Sequence, residues 1–172
     1  MSRSPRFVPV SVRDITYVHG DVTEMPENSL LLHVCNNRGG WGAGVVLAIS
    51  KKWPEPELGY RDWYRRCRER GVLLPLGKTQ FIPVAGAGKP RWVGNMVAQT
   101  LGETLLTGEI PLQYDKLIEC LKSAAEFAEA WGLEIHAPRF GSDLAGGDWD
   151  VIETLIKLHI PEHIPVTIYI FP

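Results

Sequence analysis

The chain has 172 residues, 45% hydrophobic and 22% charged, which suits one domain with a proper core and excludes two ordinary domains or a disordered chain. A formal net charge of −2 gives no footprint for non-specific nucleic-acid binding. Three widely spaced cysteines, Cys35, Cys67 and Cys120, make neither a disulfide framework nor a zinc site, which suits a reducing compartment.

No apolar run approaches a membrane span, and no apolar segment follows the basic residues near Met1. The expectation is a cytoplasmic monomer without membrane contact, and nothing indicates nucleic acid as a partner. Residues 1–13, with Arg3, Arg6 and Arg13, read as a solvated arm or short edge strand of a single domain spanning 1–172.

In chain order, Ile15 to His19 is predicted as a short strand, and Ser29 to Cys35 as an apolar strand buried on both faces. Gly44 to Lys52 is a short helix that the Trp53-Pro54 step terminates. Leu58 to Arg70 is a polar-faced helix ended by Gly71. Thr79 to Val84 and Arg91 to Ala98 are neighbouring strands joined by the glycine-rich turn Ala85 to Pro90. Gln113 to Trp131 carries one apolar stripe of Leu117, Leu121, Ala124, Ala125 and Ala128, and Gly132 closes it. A strand over Leu133 to Ala137, a helix over Trp149 to Leu158 and a strand over Pro165 to Phe171 complete the pattern. The alternation implies an α/β fold, a three-layer α/β/α sandwich around a mixed, largely parallel sheet. Ligands of such folds sit at the C-terminal ends of the strands.

Two strand-to-helix junctions are rich in glycine: Asn36-Asn37-Arg38-Gly39-Gly40-Trp41-Gly42-Ala43-Gly44, and Gly141-Ser142-Asp143-Leu144-Ala145-Gly146-Gly147. Glycine lets a backbone approach a ligand, and loop N–H groups ahead of a helix hold phosphate oxygens. Two such loops clamp a diphosphate from both sides, whereas either alone reads equally well as a tight turn. Neither fits G-x-G-x-x-G in its strand context or the P-loop pattern. Asp21, after the strand in Tyr17-Val18-His19-Gly20-Asp21, either accepts from an exocyclic amine of adenine or caps the next turn, and spacing alone favours the cap.

Ile15-Thr16-Tyr17-Val18-His19-Gly20-Asp21-Val22-Thr23, the His33-Val34-Cys35-Asn36-Asn37 strand end with its Gly-Trp-Gly-Ala-Gly loop, and Pro138-Arg139-Phe140-Gly141 through Trp149 resemble a macro domain, in order from about Ile15 to Phe171. Trp53-Pro54, Leu76-Gly77-Lys78 and Asn95-Met96-Val97-Ala98-Gln99 resemble the branch of the ADP-ribose 1″-phosphate phosphatases and terminal ADP-ribose protein glycohydrolases. The resemblance implies that Asp21 bonds adenine with Val22 on the ring, and that Asn36 contacts the distal ribose. It further implies that Gly42, Ala43 and Gly44 line the diphosphate in the first loop, and Gly141, Ser142, Leu144, Ala145 and Gly146 in the second. The resemblance also implies that Phe171 packs on adenine, whereas Tyr169 is taken as an ordinary aromatic of its strand. Trp41 either covers the ligand or packs under its loop.

By the same resemblance the chemistry is hydrolysis at C1″ of the distal ribose, without cofactor or metal. The leading expectation is release of ADP-ribosyl groups from mono-ADP-ribosylated protein at acidic residues. The alternatives are an ADP-ribose 1″-phosphate phosphatase and a reader of ADP-ribose without turnover. The lysine and aspartate of the terminal glycohydrolases align near Thr100 and Ala145, so neither is retained. Asp143 replaces a small residue of the relatives, and either orients the attacking water beside Asn36 or caps the following turn. Gln99 is a third polar candidate. His33, His19 and His136 lie in strands without partners at ligand spacing, so His33 is expected as a buried, hydrogen-bonded histidine and a metal site is not expected. The arginines from Arg61 to Arg70, interleaved with Asp62 and Glu69, read as a solvated helix face.

Overall fold

The unbroken apolar run Ser29–Asn36 becomes strand β2, the axis of a six-stranded sheet, in a computed structural model that describes residues 13–84, 86, 88–100 and 110–171. The other strands are β1 (Thr16–His19), β3 (Thr79–Val84), β4 (Arg91–Gln99), β5 (Glu134–Pro138) and β6 (Val166–Ile170). Their spatial order is β1-β6-β5-β2-β4-β3, and every pairing is parallel except β3 with β4.

Successive residues of a strand point to opposite faces, so β2 feeds two cores at once. Leu30 and Leu32 join a cluster built on helices α3 (Tyr114–Trp131) and α4 (Trp149–His159), with Leu117, Leu121 and Ile152. Leu31 and Cys35 join the opposite cluster, built on α1 (Val45–Lys52) and α2 (Glu55–Glu69), with Val46, Ile49 and Tyr60. The three-layer sandwich is the result, and both faces of the parallel sheet are covered.

Several boundaries differ from the sequence expectation for local reasons. β2 runs on to Asn36 across a register shift in which Cys35 faces Val97 and Asn36 faces Gln99, so the extra residue, Ala98, lies on β4. Helix α2 begins at Glu55 rather than Leu58, because prolines fit a first helical turn and Glu55 and Glu57 favour its positive end. Trp53, preceding Pro54, takes extended φ −137° and ψ 129° and stops α1 as expected. Gly132 closes α3 in the left-handed conformation, φ 64° and ψ 41°. A short 3-10 turn over Val22–Glu24 had no periodicity to betray it.

Arg3 and Arg6, and with them the expected arm, lie outside the described residues, as do Ala85 and Ala87 of the expected turn. Arg13 is not solvated. It is buried and donates to the carbonyls of Pro161 at 2.7 Å and Ile160 at 3.3 Å, beyond the end of α4.

Candidate functional site

Because β1, β6, β5, β2 and β4 are parallel, His19, Ile170, Pro138, Asn36 and Gln99 finish at one edge of the sheet. Both glycine loops leave from that edge, and two cavities open there. The larger, of about 670 Å³, is lined by Asp21, Val22, Gly44, Ser142, Asp143 and Phe171 among others. The smaller, of about 330 Å³, is lined by Asn36, Trp41, Gly42, Ala43, Leu144 and the end of β4, Gln99 and Thr100. Ala43 and Gly44 are chain neighbours, as are Asp143 and Leu144. Each loop therefore lines both cavities, which lie side by side at this edge.

Asn36 is the hub of the first loop. Its Oδ1 accepts from the N–H groups of Arg38 (2.9 Å) and Gly40 (3.0 Å), and its Nδ2 donates to the Gly40 carbonyl at 3.1 Å. The Tyr60 hydroxyl of α2 donates to the Asn36 carbonyl at 2.6 Å and lies 3.1 Å from Oδ1. Burial pushes the Tyr60 phenol far above its ordinary range, so it stays protonated. The side chain expected to hold a ribose is thus mainly occupied in shaping its own loop, with one Nδ2 hydrogen left over.

Trp41 packs beneath this loop rather than over a ligand. It is buried, edge-on to His33 with ring centroids 5.3 Å apart, and its Nε1 donates to Ser50 Oγ at 2.7 Å. Ser50 in turn donates to Glu57 at 2.8 Å, and Arg61 binds the other Glu57 oxygen at 2.8 Å while reaching the Gly39 carbonyl at 3.4 Å. The Arg61 hydrogen bond, then that of Ser50, holds the Glu57 carboxyl below its ordinary range. Gly39, at φ 79°, lies so close to α2 that a Cβ there would stand 2.4 Å from the Tyr64 ring. By contrast a Cβ on Gly42 or Gly44 meets nothing within 4 Å, so that stretch of backbone faces open space. Farther along α2, Arg65 and Arg66 pair with Asp62 and Glu69 on the exposed surface, as the charge pattern suggested.

In the second loop only Ser142, Asp143 and Leu144 line the cavities. Gly141 and Gly146 pack instead on Leu112 and Ile110, and buried Ala145 accepts from Leu112 N at 3.0 Å. These three hold the loop from below. Asp21 does cap the 3-10 turn: its Oδ1 accepts from Thr23 N at 2.9 Å and Thr23 Oγ1 at 2.7 Å. Those bonds leave Oδ2 for the larger cavity. Tyr169 is more than a strand aromatic, since it lines that cavity and its hydroxyl shares a hydrogen bond with His136 Nδ1 at 2.8 Å. Phe171 and Leu144 stand 74% and 78% exposed at the groove, apolar groups with nothing packed on them.

Asn36 and Asp143, expected to hold the ribose and to orient the water, line different cavities. Asp143 lines the larger cavity with Asp21, and Asn36 lines the smaller. No carboxylate, lysine or imidazole among the described residues lines the smaller cavity. His33 lies in the core nearby as a neutral, hydrogen-bonded imidazole, as expected. Its Nε2 contacts Asn95 Oδ1 at 2.5 Å, and burial holds its pKa down to about 4. Among the described residues no group of three His, Cys, Asp or Glu side chains is placed to hold a metal ion. Sequence reasoning missed Thr100, Tyr60 and Arg139, the last of which lines the larger cavity; no local pattern marks a strand-end residue of this kind.

No protein-family model matches the chain. A solved structure of a protein of unknown function from Bacteroides thetaiotaomicron is 35% identical, with a TM-score of 0.82 and coverage of 94% of this chain and 100% of that one. Among curated relatives, an ADP-ribose 1″-phosphate phosphatase of Aspergillus clavatus is 27% identical over 176 residues, 83% of this chain and 88% of the relative. A macrodomain protein from Streptomyces coelicolor is 37% identical, with a TM-score of 0.72 and coverage of 91% of this chain and 99% of that one. With that identity over nearly the whole of both chains, and two glycine loops at the parallel edge of a mixed six-stranded sheet, the chain belongs to the macro-domain family.

Proposed function

We propose that this macro domain binds ADP-ribose across both cavities and hydrolyses the bond at C1″, releasing ADP-ribosyl groups from mono-ADP-ribosylated protein at acidic residues. The observation that carries this reading is the unequal pair of neighbouring cavities, each lined by both glycine loops. The space of about 670 Å³ suits an adenosine, with Asp21 Oδ2 as acceptor for the adenine amine. The space of about 330 Å³ suits a single ribose. A diphosphate then lies between Ala43–Gly44 and Ser142–Leu144, where loop N–H groups face it.

Hydrolysis in such a site rests on positioning and on charge stabilisation by loop N–H groups. A carboxylate or phosphate leaves C1″ as a weakly basic oxyanion, which suits a cavity without an acid among its described lining residues. The name of the curated relative favours a second reading, in which the group removed is the phosphate of ADP-ribose 1″-phosphate.

The test is turnover on glutamate-linked mono-ADP-ribosyl protein and on ADP-ribose 1″-phosphate, with ADP-ribose affinity measured calorimetrically on the same sample. Release from the protein substrate is the expected result. Phosphate release alone selects the second reading, and tight binding without either product makes the domain a reader. Failure to bind ADP-ribose overturns the assignment of the groove.

A further inference from the structure

Hydrogen-bond capacity in the smaller cavity is almost fully committed within the protein. Asn36 Oδ1 already accepts two backbone N–H groups, and the Trp41 indole donates to Ser50. The Cys35 thiol is buried, and burial pushes its pKa up, so it is not available as a thiolate. Besides the one remaining Asn36 Nδ2 hydrogen, two side chains at the end of β4 are left: Gln99, half-buried, and Thr100, which is 5% exposed and lines the cavity. Neither side chain makes a hydrogen bond among the described residues.

The two differ in how firmly they are held. Gln99 has a long, rotatable side chain. Thr100 is fixed by its backbone, whose N–H donates to Pro111 O at 2.9 Å, and its β-branched side chain has few rotamers. Because Thr100 lines the cavity, its hydroxyl can take a ligand or a water as a hydrogen-bond partner there.

We propose that Thr100 is a catalytic residue of the reaction proposed above: its hydroxyl accepts a hydrogen bond from the attacking water and places that water against C1″ of the distal ribose. The inference rests on the C1″ hydrolase reading. In the step, the water oxygen forms a bond to C1″ as the bond from C1″ to the departing oxygen breaks. The electron pair leaves on the carboxylate or phosphate, and the water's surplus proton passes to solvent. Thr100 neither gains nor loses a proton overall, because an aliphatic hydroxyl is too weak a base to keep one. Its contribution is orientation.

Thr100→Val keeps the shape and removes the hydroxyl, and Thr100→Ser keeps the hydroxyl. The experiment measures kcat on whichever of glutamate-linked ADP-ribosyl protein and ADP-ribose 1″-phosphate the wild type turns over. ADP-ribose affinity and thermal unfolding are read on the same samples. The expected result is a fall in kcat of about 10²-fold for Thr100→Val, near wild-type kcat for Thr100→Ser, and ADP-ribose affinity unchanged in both. Wild-type kcat in Thr100→Val overturns the proposal, and so do equal losses in the two variants or a loss that follows affinity or unfolding. A wild type that binds ADP-ribose without releasing product overturns the role of Thr100 while leaving the groove intact. A wild type that binds no ADP-ribose fails the underlying reading instead.

Discussion

Replacing Tyr60 with phenylalanine tests whether α2 holds the first glycine loop in shape. The substitution preserves ring volume in a fully buried site, so no cavity opens, and only the hydroxyl is lost. That hydroxyl makes the 2.6 Å bond to the Asn36 carbonyl and the 3.1 Å contact with Asn36 Oδ1, and its single proton serves the shorter one. Losing a donor to a buried acceptor costs about 1–3 kcal/mol. At about 2–4 °C per kcal/mol for a domain of this size, the melting temperature should fall by about 2–12 °C. If the loosened loop is the one that meets the ligand, some of the same energy appears as lost ADP-ribose affinity, up to about 10²-fold at 1.4 kcal/mol per decade. Thermal unfolding by circular dichroism and calorimetric titration with ADP-ribose read the two quantities on one sample. An unchanged melting temperature would refute the bracing role of Tyr60. A lowered one with unchanged affinity would show that the braced loop is not part of the ligand site.

The His33 pKa of about 4, against 6.5 for an exposed histidine, makes stability pH-dependent. Below 6.5 the unfolded chain takes up a proton that the folded chain refuses, so urea stability should fall as pH drops toward 4, by on the order of 3 kcal/mol. His33→Gln should flatten this slope, leaving the part due to His136, whose pKa burial also lowers; identical slopes for both proteins would contradict the reasoning. Gly39→Ala puts a Cβ 2.4 Å from the Tyr64 ring at φ 79°, and should cost more than the roughly 1–2 kcal/mol of the left-handed conformation alone, read by thermal unfolding. Asp143→Ala should leave turnover at the wild-type rate, because Asp143 lines the cavity away from Asn36, and should keep or raise ADP-ribose affinity by removing a negative charge. A loss of turnover at unchanged affinity would restore the water-orienting role to Asp143.

The layer architecture was legible because β2 is an unbroken apolar run and α3 a clean stripe, signals that periodicity carries directly. Strand order was not. β6 lies between β1 and β5, a pairing between residues some 150 positions apart that no local pattern records. The glycine loops were legible as loops, but the roles within them were not. Asp143 and Leu144 are adjacent in sequence and serve different cavities, and Asn36 is taken up by the Arg38 and Gly40 backbone of its own loop. Trp41 had two sequence readings, and the choice was made by Ser50, nine residues away on α1. Thr100 entered the sequence reading only as the place of a missing lysine, because its position in the wall of the smaller cavity is a property of three-dimensional packing.

The insertion of β6 between β1 and β5 also bears on the order in which the protein can be made. Residues 29–99 hold β2, α1, α2, β3 and β4, with the first glycine loop and its brace, and can pair among themselves while the rest is still being synthesised. β1 emerges earlier still, yet its sheet neighbour spans Val166–Ile170. On the ribosome the larger cavity therefore has no walls on the Tyr169 and Asp143 side until translation has almost reached the end of this sequence. The smaller cavity waits as well, for Pro111 and Leu144, so a nascent chain can build the first glycine loop early but neither cavity until the second loop has followed.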